Sequence, residues 1–199
     1  MATRGRPRSF DISTALDSAV RVFWERGYEG AGIAELTGAM GISRPSLYST
    51  FGDKAALFEQ SLRRYVAVHM RYVDDALAQP TAVKVARSFL EGNVLAVTMA
   101  GRPPGCLSVQ AAVTAGEPDV FVLLSNNRRK IRERFVLRFT QAVELGDLPA
   151  DTNPRQVADF LITLSTGFAV RAADGATRQE LLAHVEMAVR GLGLSTSTS

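Results

Sequence analysis

The chain has 199 residues, of which 46% are hydrophobic and 22% charged, with a formal net charge of +3 and a pI near 9.3. That length supports one large domain, or a small one fused to a larger, with a true core. No apolar run approaches the roughly 20 residues that cross a bilayer, the basic opening MATRGRPR leads into no apolar signal core, and the single cysteine, Cys106, excludes an internal disulfide or a multi-cysteine metal centre. These features predict a soluble cytoplasmic protein with no cofactor and no metal.

The elements read as helices throughout, so the predicted fold class is all-α, with about nine helices. Residues 1–9 form a basic arm. Ile12, Leu16, Ala19, Val20 and Phe23 share one helical face; Asp11 caps that first helix and Gly27 stops it after Arg26. A short second helix, about Ile33 to Met40, ends at Gly41. Ser43 caps a short third helix, with Pro45 tolerated in its first turn because no intrahelical donor is needed there. Asp53 caps a long fourth helix whose stripe of Leu57, Phe58, Leu62, Tyr65, Val66, His69 and Val73 runs to about Leu77. A fifth helix spans Ala82 to Ala100, and the loop GRPPG follows. A sixth runs from about Cys106 to Ala115, and a seventh from Asp119 to Glu144. Asn153 caps an eighth to about Ala173, and the ninth runs from Thr177 to Leu192. The tail, 194–199, is low in complexity and predicted to be disordered.

The second and third helices, with Gly41 between them, have the layout of a helix-turn-helix. Leu36, Met40, Ile42, Leu47 and Phe51 would pack on the first helix, leaving Arg44, Ser46, Ser49 and Thr50 outward and Tyr48 at the boundary. In such a motif the second helix enters the major groove by its N-terminal part. Arginine there can read guanine or hold a phosphate, and hydroxyls suit backbone contacts. Charge alone does not argue for nucleic acid. Residues 1–54 hold Arg4, Arg6, Arg8, Arg21, Arg26, Arg44 and Lys54 against Asp11, Asp17, Glu25, Glu29, Glu35 and Asp53, a net of +1. Spacing leaves an exposed capped helix and a DNA-reading helix equally open.

The runs ALDSAVRVFWERGYEGAGIAEL and GISRPSLYSTFGDKAALF decide between them. Residues 10–58 resemble the DNA-binding domain of the TetR family of transcriptional regulators, most specifically in the pattern Leu47, Tyr48, Phe51, Lys54, Leu57. The resemblance implies that Tyr48 and Lys54 contact the DNA backbone, and that Arg44, Pro45, Ser46 and Ser49 face bases or phosphates. It departs from the family at Ala31-Gly32, where a Thr or Ser usually caps the second helix, and at Thr37, where Ala is common. Arg4 and Arg6 in the arm resemble arms that track a minor groove or phosphates. The segments PPGCLSVQAA and GFAVRAADGATRQELLAHVEMAV resemble one subgroup and name no ligand.

The expected organisation is an arm at 1–9, a helix-turn-helix domain at 10–53, a ligand-binding and dimerisation domain at 54–193, and the tail. Polar residues on apolar stripes mark a pocket for a small-molecule effector: His69, Asn93, Gln110 and Arg128, with Phe89, Phe121 and Phe135 as apolar lining. Arg128 paired with His69 would suit an acidic or hydrogen-bonding ligand. The basic run from Asn127 to Arg134 reads as a solvated face. The stripes of the last two helices, Leu161, Leu164 and Phe168 with Leu181, Val185 and Ala188, would form a four-helix interface between two copies.

The predicted function is a homodimeric, ligand-responsive DNA-binding repressor released from a palindromic operator by its effector. A transcriptional activator, a redox-responsive regulator using Cys106, and a helical binding protein without DNA binding are the alternatives. His69 and His184 lie far apart, and no HExxH, GxSxG, P-loop or GxGxxG signature is present, so catalysis is not expected.

Overall fold

The Asp11 carboxylate accepts the Thr14 N–H at 2.7 Å and the Ser13 hydroxyl at 2.5 Å. These two bonds hold its pKa at about 2 and start the first helix of the fold. A computed structural model describes residues 10–114 and 116–192. The basic arm with Arg4 and Arg6, and the tail at 194–199, lie outside the described residues. The helices are α1 (Ile12–Gly30), α2 (Ile33–Met40), α3 (Arg44–Phe51), α4 (Lys54–His69), α5 (Tyr72–Leu77), α6 (Ala82–Val97), α7 (Leu107–Thr114), α8 (Pro118–Glu144), α9 (Pro154–Ala173) and α10 (Arg178–Gly191). No strand occurs among the described residues, and the fold is all-α.

Helices α1 to α3 form a small head. Gly41 takes a left-handed conformation at φ 65°, its N–H reaches back to Gly38 and Thr37, and the Ile42 N–H reaches the Thr37 carbonyl at 3.1 Å. This C-cap satisfies the last carbonyls of α2 and bends the chain into α3. Leu36, Leu47 and Phe51 are buried beneath the bend, in one core cluster with Phe23 of α1 and Phe58 of α4. Each such side chain contributes roughly 1.5–3 kcal/mol by leaving water. Gly27 does interrupt α1, at φ 70° and ψ 178°, but one more turn follows, carrying Tyr28 and Glu29.

The body is built around α6, which packs against α5, α9 and α10, while α8 lies along α9. Phe135 lies at its centre, tilted against Phe89 with ring centroids 4.5 Å apart and stacked on Phe139 at 6.2 Å. The fourth helix does not continue to Leu77. It ends at His69, and α5 restarts at Tyr72 so that the Tyr72 ring lies on α6 at Gly92. A Cβ on Gly92 would come within 2.7 Å of the Tyr72 Cβ. Close helix approach at this glycine thus redirects a stripe that is continuous in sequence. Gly92→Ala is expected to lower unfolding stability by about 1–3 kcal/mol through overpacking, read by denaturant titration.

The last two helices also differ from expectation. Leu161, Phe168, Leu181, Val185 and Ala188 are buried within the chain and Leu164 is half-buried, so this stripe belongs to the subunit's own core. The outward faces carry instead Phe160, Gly167 and Val170 of α9 and Met187 of α10, the last 71% exposed. An amphipathic helix commits its strongest stripe to its own core first, and the weaker second face is left outside.

Candidate nucleic-acid interface and cavity

Helix α3 stands on Leu47 and Phe51 and presents its other side outward. Ser43 caps it by accepting the Ser46 N–H at 3.2 Å, and the two serine hydroxyls meet at 2.8 Å. Ser49 turns its hydroxyl back to the Ser46 carbonyl. Arg44, Pro45, Tyr48 and Ser49 are exposed, and Ser46 is half-buried. Neither Arg44 nor Tyr48 has an ion-pair or hydrogen-bond partner among the described residues. The structure therefore brings these side chains onto one outward face and leaves a cation and a phenol free. Helix α2 starts at Gly32 without a side-chain cap, and Thr37 bonds back to Ile33 and Ala34 within its own helix.

Lys54 opens α4 beside this face. Asp53 caps that helix through the Ala56 N–H at 2.8 Å. The Lys54 ammonium sits 4.5 Å over the ring of Tyr28, a cation–π contact worth about 0.5–1 kcal/mol. The Tyr28 hydroxyl donates to Glu117 at 2.9 Å, and Glu29 accepts the Gly116 N–H at 3.0 Å. Burial, with the Glu117 carboxylate on the hydroxyl, pushes the Tyr28 phenol well above its ordinary range. The turn of α1 beyond the Gly27 kink is thereby latched to the joint between α7 and α8. A second tie joins Arg64 of α4 to Asp17 of α1 at 2.8 and 2.9 Å, and the Arg64 guanidinium holds the Asp17 carboxyl below its usual value.

A cavity of about 40 Å³ lies among α5, α6, α7, α8 and α9. It is lined by Phe89, Asn93, Cys106, Ser108, Arg128 and Ile131, among others. It shares Val109, Arg128, Ile162 and Thr166 with a wider recess of about 500 Å³. Asn93 is 4% exposed; its Nδ2 donates to the Tyr72 hydroxyl at 3.1 Å, and its Oδ1 has no partner among the described residues. Arg128 donates to the Ser108 carbonyl at 3.3 Å. The Cys106 thiol is buried, 3.3 Å from the donating Tyr65 hydroxyl and 3.1 Å from Ser108 Oγ.

Of the residues expected to hold a ligand, Phe89, Asn93 and Arg128 line this cavity. Phe135 is fully buried behind Phe89 as core, and Gln110 donates to the Pro104 carbonyl. Phe121 has the right angular position on α8 but is 52% exposed in the first turn. His69 is separated from Arg128. Its ring packs on Trp24 and Tyr65, and it lines a different recess with Asp17 and Arg102. Burial, then the Arg102 charge, lowers its pKa and favours the neutral ring. The basic run is a solvated face, with Arg129, Lys130 and Arg134 exposed; Arg132 pairs with Asp159 and Arg134 with Asp74 at the surface. Sequence reasoning missed Tyr72, Ser108 and Ile162 as cavity lining, and Glu117 as the partner of Tyr28. Tyr72 could have been found only by seeing that α4 breaks before it.

Among the described residues no helix is long and apolar enough to cross a membrane, and no His, Cys, Asp and Glu cluster could hold a metal ion.

Comparison with known proteins agrees with this layout. Residues 15–60 match the family model for bacterial regulatory proteins of the tetR family. The chain is 31% identical over 194 residues to the HTH-type transcriptional repressor ComR of Escherichia coli K12, covering 90% of this chain and 88% of the relative. It is 27% identical over 190 residues to the repressor BdcR of the same strain, covering 92% and 90%. A solved structure of the TetR family regulator CifR, a cysteine mutant complexed with 26bp double-strand operator DNA, is 43% identical with a TM-score of 0.88, covering 93% of this chain and 98% of that one. With a helix-turn-helix head, a helical body and relatives that are regulators rather than enzymes, this chain belongs to the tetR family of bacterial transcriptional regulators.

Proposed function

We propose that the protein is a ligand-responsive repressor that binds a palindromic operator as a homodimer in the cytoplasm and leaves it when a small molecule fills the cavity. Residues 10–53 are the reading unit, and residues 54–193 hold the ligand and the second copy. The repressors ComR and BdcR and the operator complex of CifR support the DNA-binding part. Arg44, Pro45, Ser46, Tyr48, Ser49 and Lys54 are the candidate DNA contacts, with Arg44 aimed at base edges or phosphate and Tyr48 and Lys54 at the backbone. The arm residues Arg4 and Arg6 would add contacts in the minor groove. The second copy docks on the outward face of α9 and α10, around Phe160, Gly167, Val170 and Met187.

The single observation that carries the ligand response is the position of α7. It lines the cavity through Ser108 and Val109 and packs on α1 of the head. The α7–α8 joint is also held to Tyr28 and Glu29. A ligand that favours another arrangement of α7 and α8 pulls on α1 and on Lys54, which rests on Tyr28. Only a difference in ligand affinity between the bound and released arrangements can shift the population, and coupling of about 1–3 kcal/mol is the usual scale.

Tyr28→Phe tests this route. It keeps the ring beneath Lys54 and removes only the bond to Glu117. Operator affinity in a gel-shift assay is expected to stay within a few-fold of the parent, while the fall in affinity caused by a releasing ligand shrinks by about five-fold or more. An unchanged response would exclude the Tyr28–Glu117 latch as the route.

A further inference from the structure

The cavity specifies the chemistry of its occupant. Its inner wall is largely apolar, with Met70, Tyr72, Phe89, Ile131 and Ile162. Cys106, Ser108, Ser165 and Thr166 add small polar groups to that wall, and two longer polar side chains, Asn93 and Arg128, reach into it. Asn93 spends its amide N–H on Tyr72 and leaves Oδ1, a buried acceptor, without a donor. Arg128 spends one N–H on the Ser108 carbonyl and stands in the wall common to the inner cavity and the outer recess.

The outer recess adds Arg129 and Arg132. Arg132 is neutralised by Asp159, and Arg129 reaches Asn126. No residue lining either space is Asp or Glu. The field in the pocket is therefore positive and not compensated from within. A guanidinium offers a planar fork of donors that matches a carboxylate in two bonds. The inner cavity, at about 40 Å³ against the roughly 10–15 Å³ that one water needs, admits a slim end group several times the size of a water molecule.

Resting on the reading of this cavity as the effector site, we infer that the effector is an organic monocarboxylate with an apolar body and a terminal hydroxyl. The carboxylate lies on Arg128 at the junction with the recess. The apolar body packs between Ile131 and Ile162, and the hydroxyl donates to Asn93 Oδ1. Neutral apolar compounds would leave both Arg128 and Asn93 unsatisfied, and a dianion would place a second charge against the apolar inner wall.

Calorimetric titration of the full chain with three matched probes tests this: 4-hydroxyphenylacetate, its uncharged amide, and phenylacetate. The hydroxy acid is expected to bind about tenfold or more tightly than either analogue. Arg128→Gln should abolish the preference for acid over amide, and Arg128→Lys, which keeps the charge without the fork, should restore part of it. Melting curves of both variants confirm that the body remains folded. Equal binding of acid and amide, an acid preference that survives Arg128→Gln, or no binding of any probe at millimolar concentration overturns the inference. A neutral compound that binds the same cavity and releases the operator also overturns it, while leaving the ligand-responsive reading intact.

Discussion

Arg44→Ala combined with Tyr48→Ala is expected to lower operator affinity about 100-fold or more, with no change in melting temperature beyond about one degree. A good arginine contact to a base edge is worth about 1–3 kcal/mol, and a charge-assisted bond to phosphate about 1.5–3 kcal/mol. A dimer loses each contact twice. Both side chains are exposed and without a partner among the described residues, and substitutions at such positions usually move stability by no more than about 0.5 kcal/mol. Fluorescence anisotropy with labelled operator measures the first effect and thermal melting the second. The single variants separate the roles. If Arg44 reads a base, Arg44→Ala relaxes discrimination at one operator position; if it holds a phosphate, affinity falls for all sequences and the salt slope drops by about one. Unchanged affinity of the double variant would remove α3 from the interface.

Val170→Asp combined with Met187→Asp is expected to turn the dimer into a monomer and to weaken operator binding by about 10²–10³-fold. Both side chains are exposed in the single chain, Val170 at 44% and Met187 at 71%, so the variant should fold. At an interface between copies, four carboxylates would be brought together on an apolar surface and desolvated without partners. Operator affinity falls because two linked heads bind with an effective concentration that a single head lacks. Sedimentation velocity reads the oligomeric state. Leu161→Asp and Val185→Asp serve as the contrast: these positions are fully buried within the subunit, so they should unfold the chain rather than dissociate it.

The head was legible in the sequence almost to the residue. Asp11, Ser43 and Asp53 cap their helices as their chemistry dictates, and Gly41 bends the chain where no other residue would be comfortable. The body was less legible because its deciding features are contacts between distant segments. No proline or glycine marks the end of α4 at His69; the cause sits twenty-odd residues later, where Gly92 admits Tyr72. Four polar residues on apolar stripes looked alike in sequence, and Gln110 turns to the Pro104 carbonyl. Asn93 and Arg128 both line the cavity, whereas His69 sits against Trp24 on another surface. Periodicity gives the face of a helix but not what covers it. That is why Phe121 lies exposed, and why the stripe of α9 and α10 went into the subunit's own core. The latch from Tyr28 to Glu117 spans 89 positions, and no local pattern announces a pairing over that distance.

In the proposed mechanism, α3 of a dimer reads a specific operator and the cavity controls this through the head. The most direct measurement is anisotropy titration of the purified protein against two labelled duplexes at physiological salt: one a two-fold symmetric site from its own upstream region, the other the same bases scrambled. Sequence-specific reading by a dimer requires the symmetric site to bind about 10³-fold or more tightly, with one dimer per site and each head on one half-site. Equal affinity for the two duplexes would contradict it.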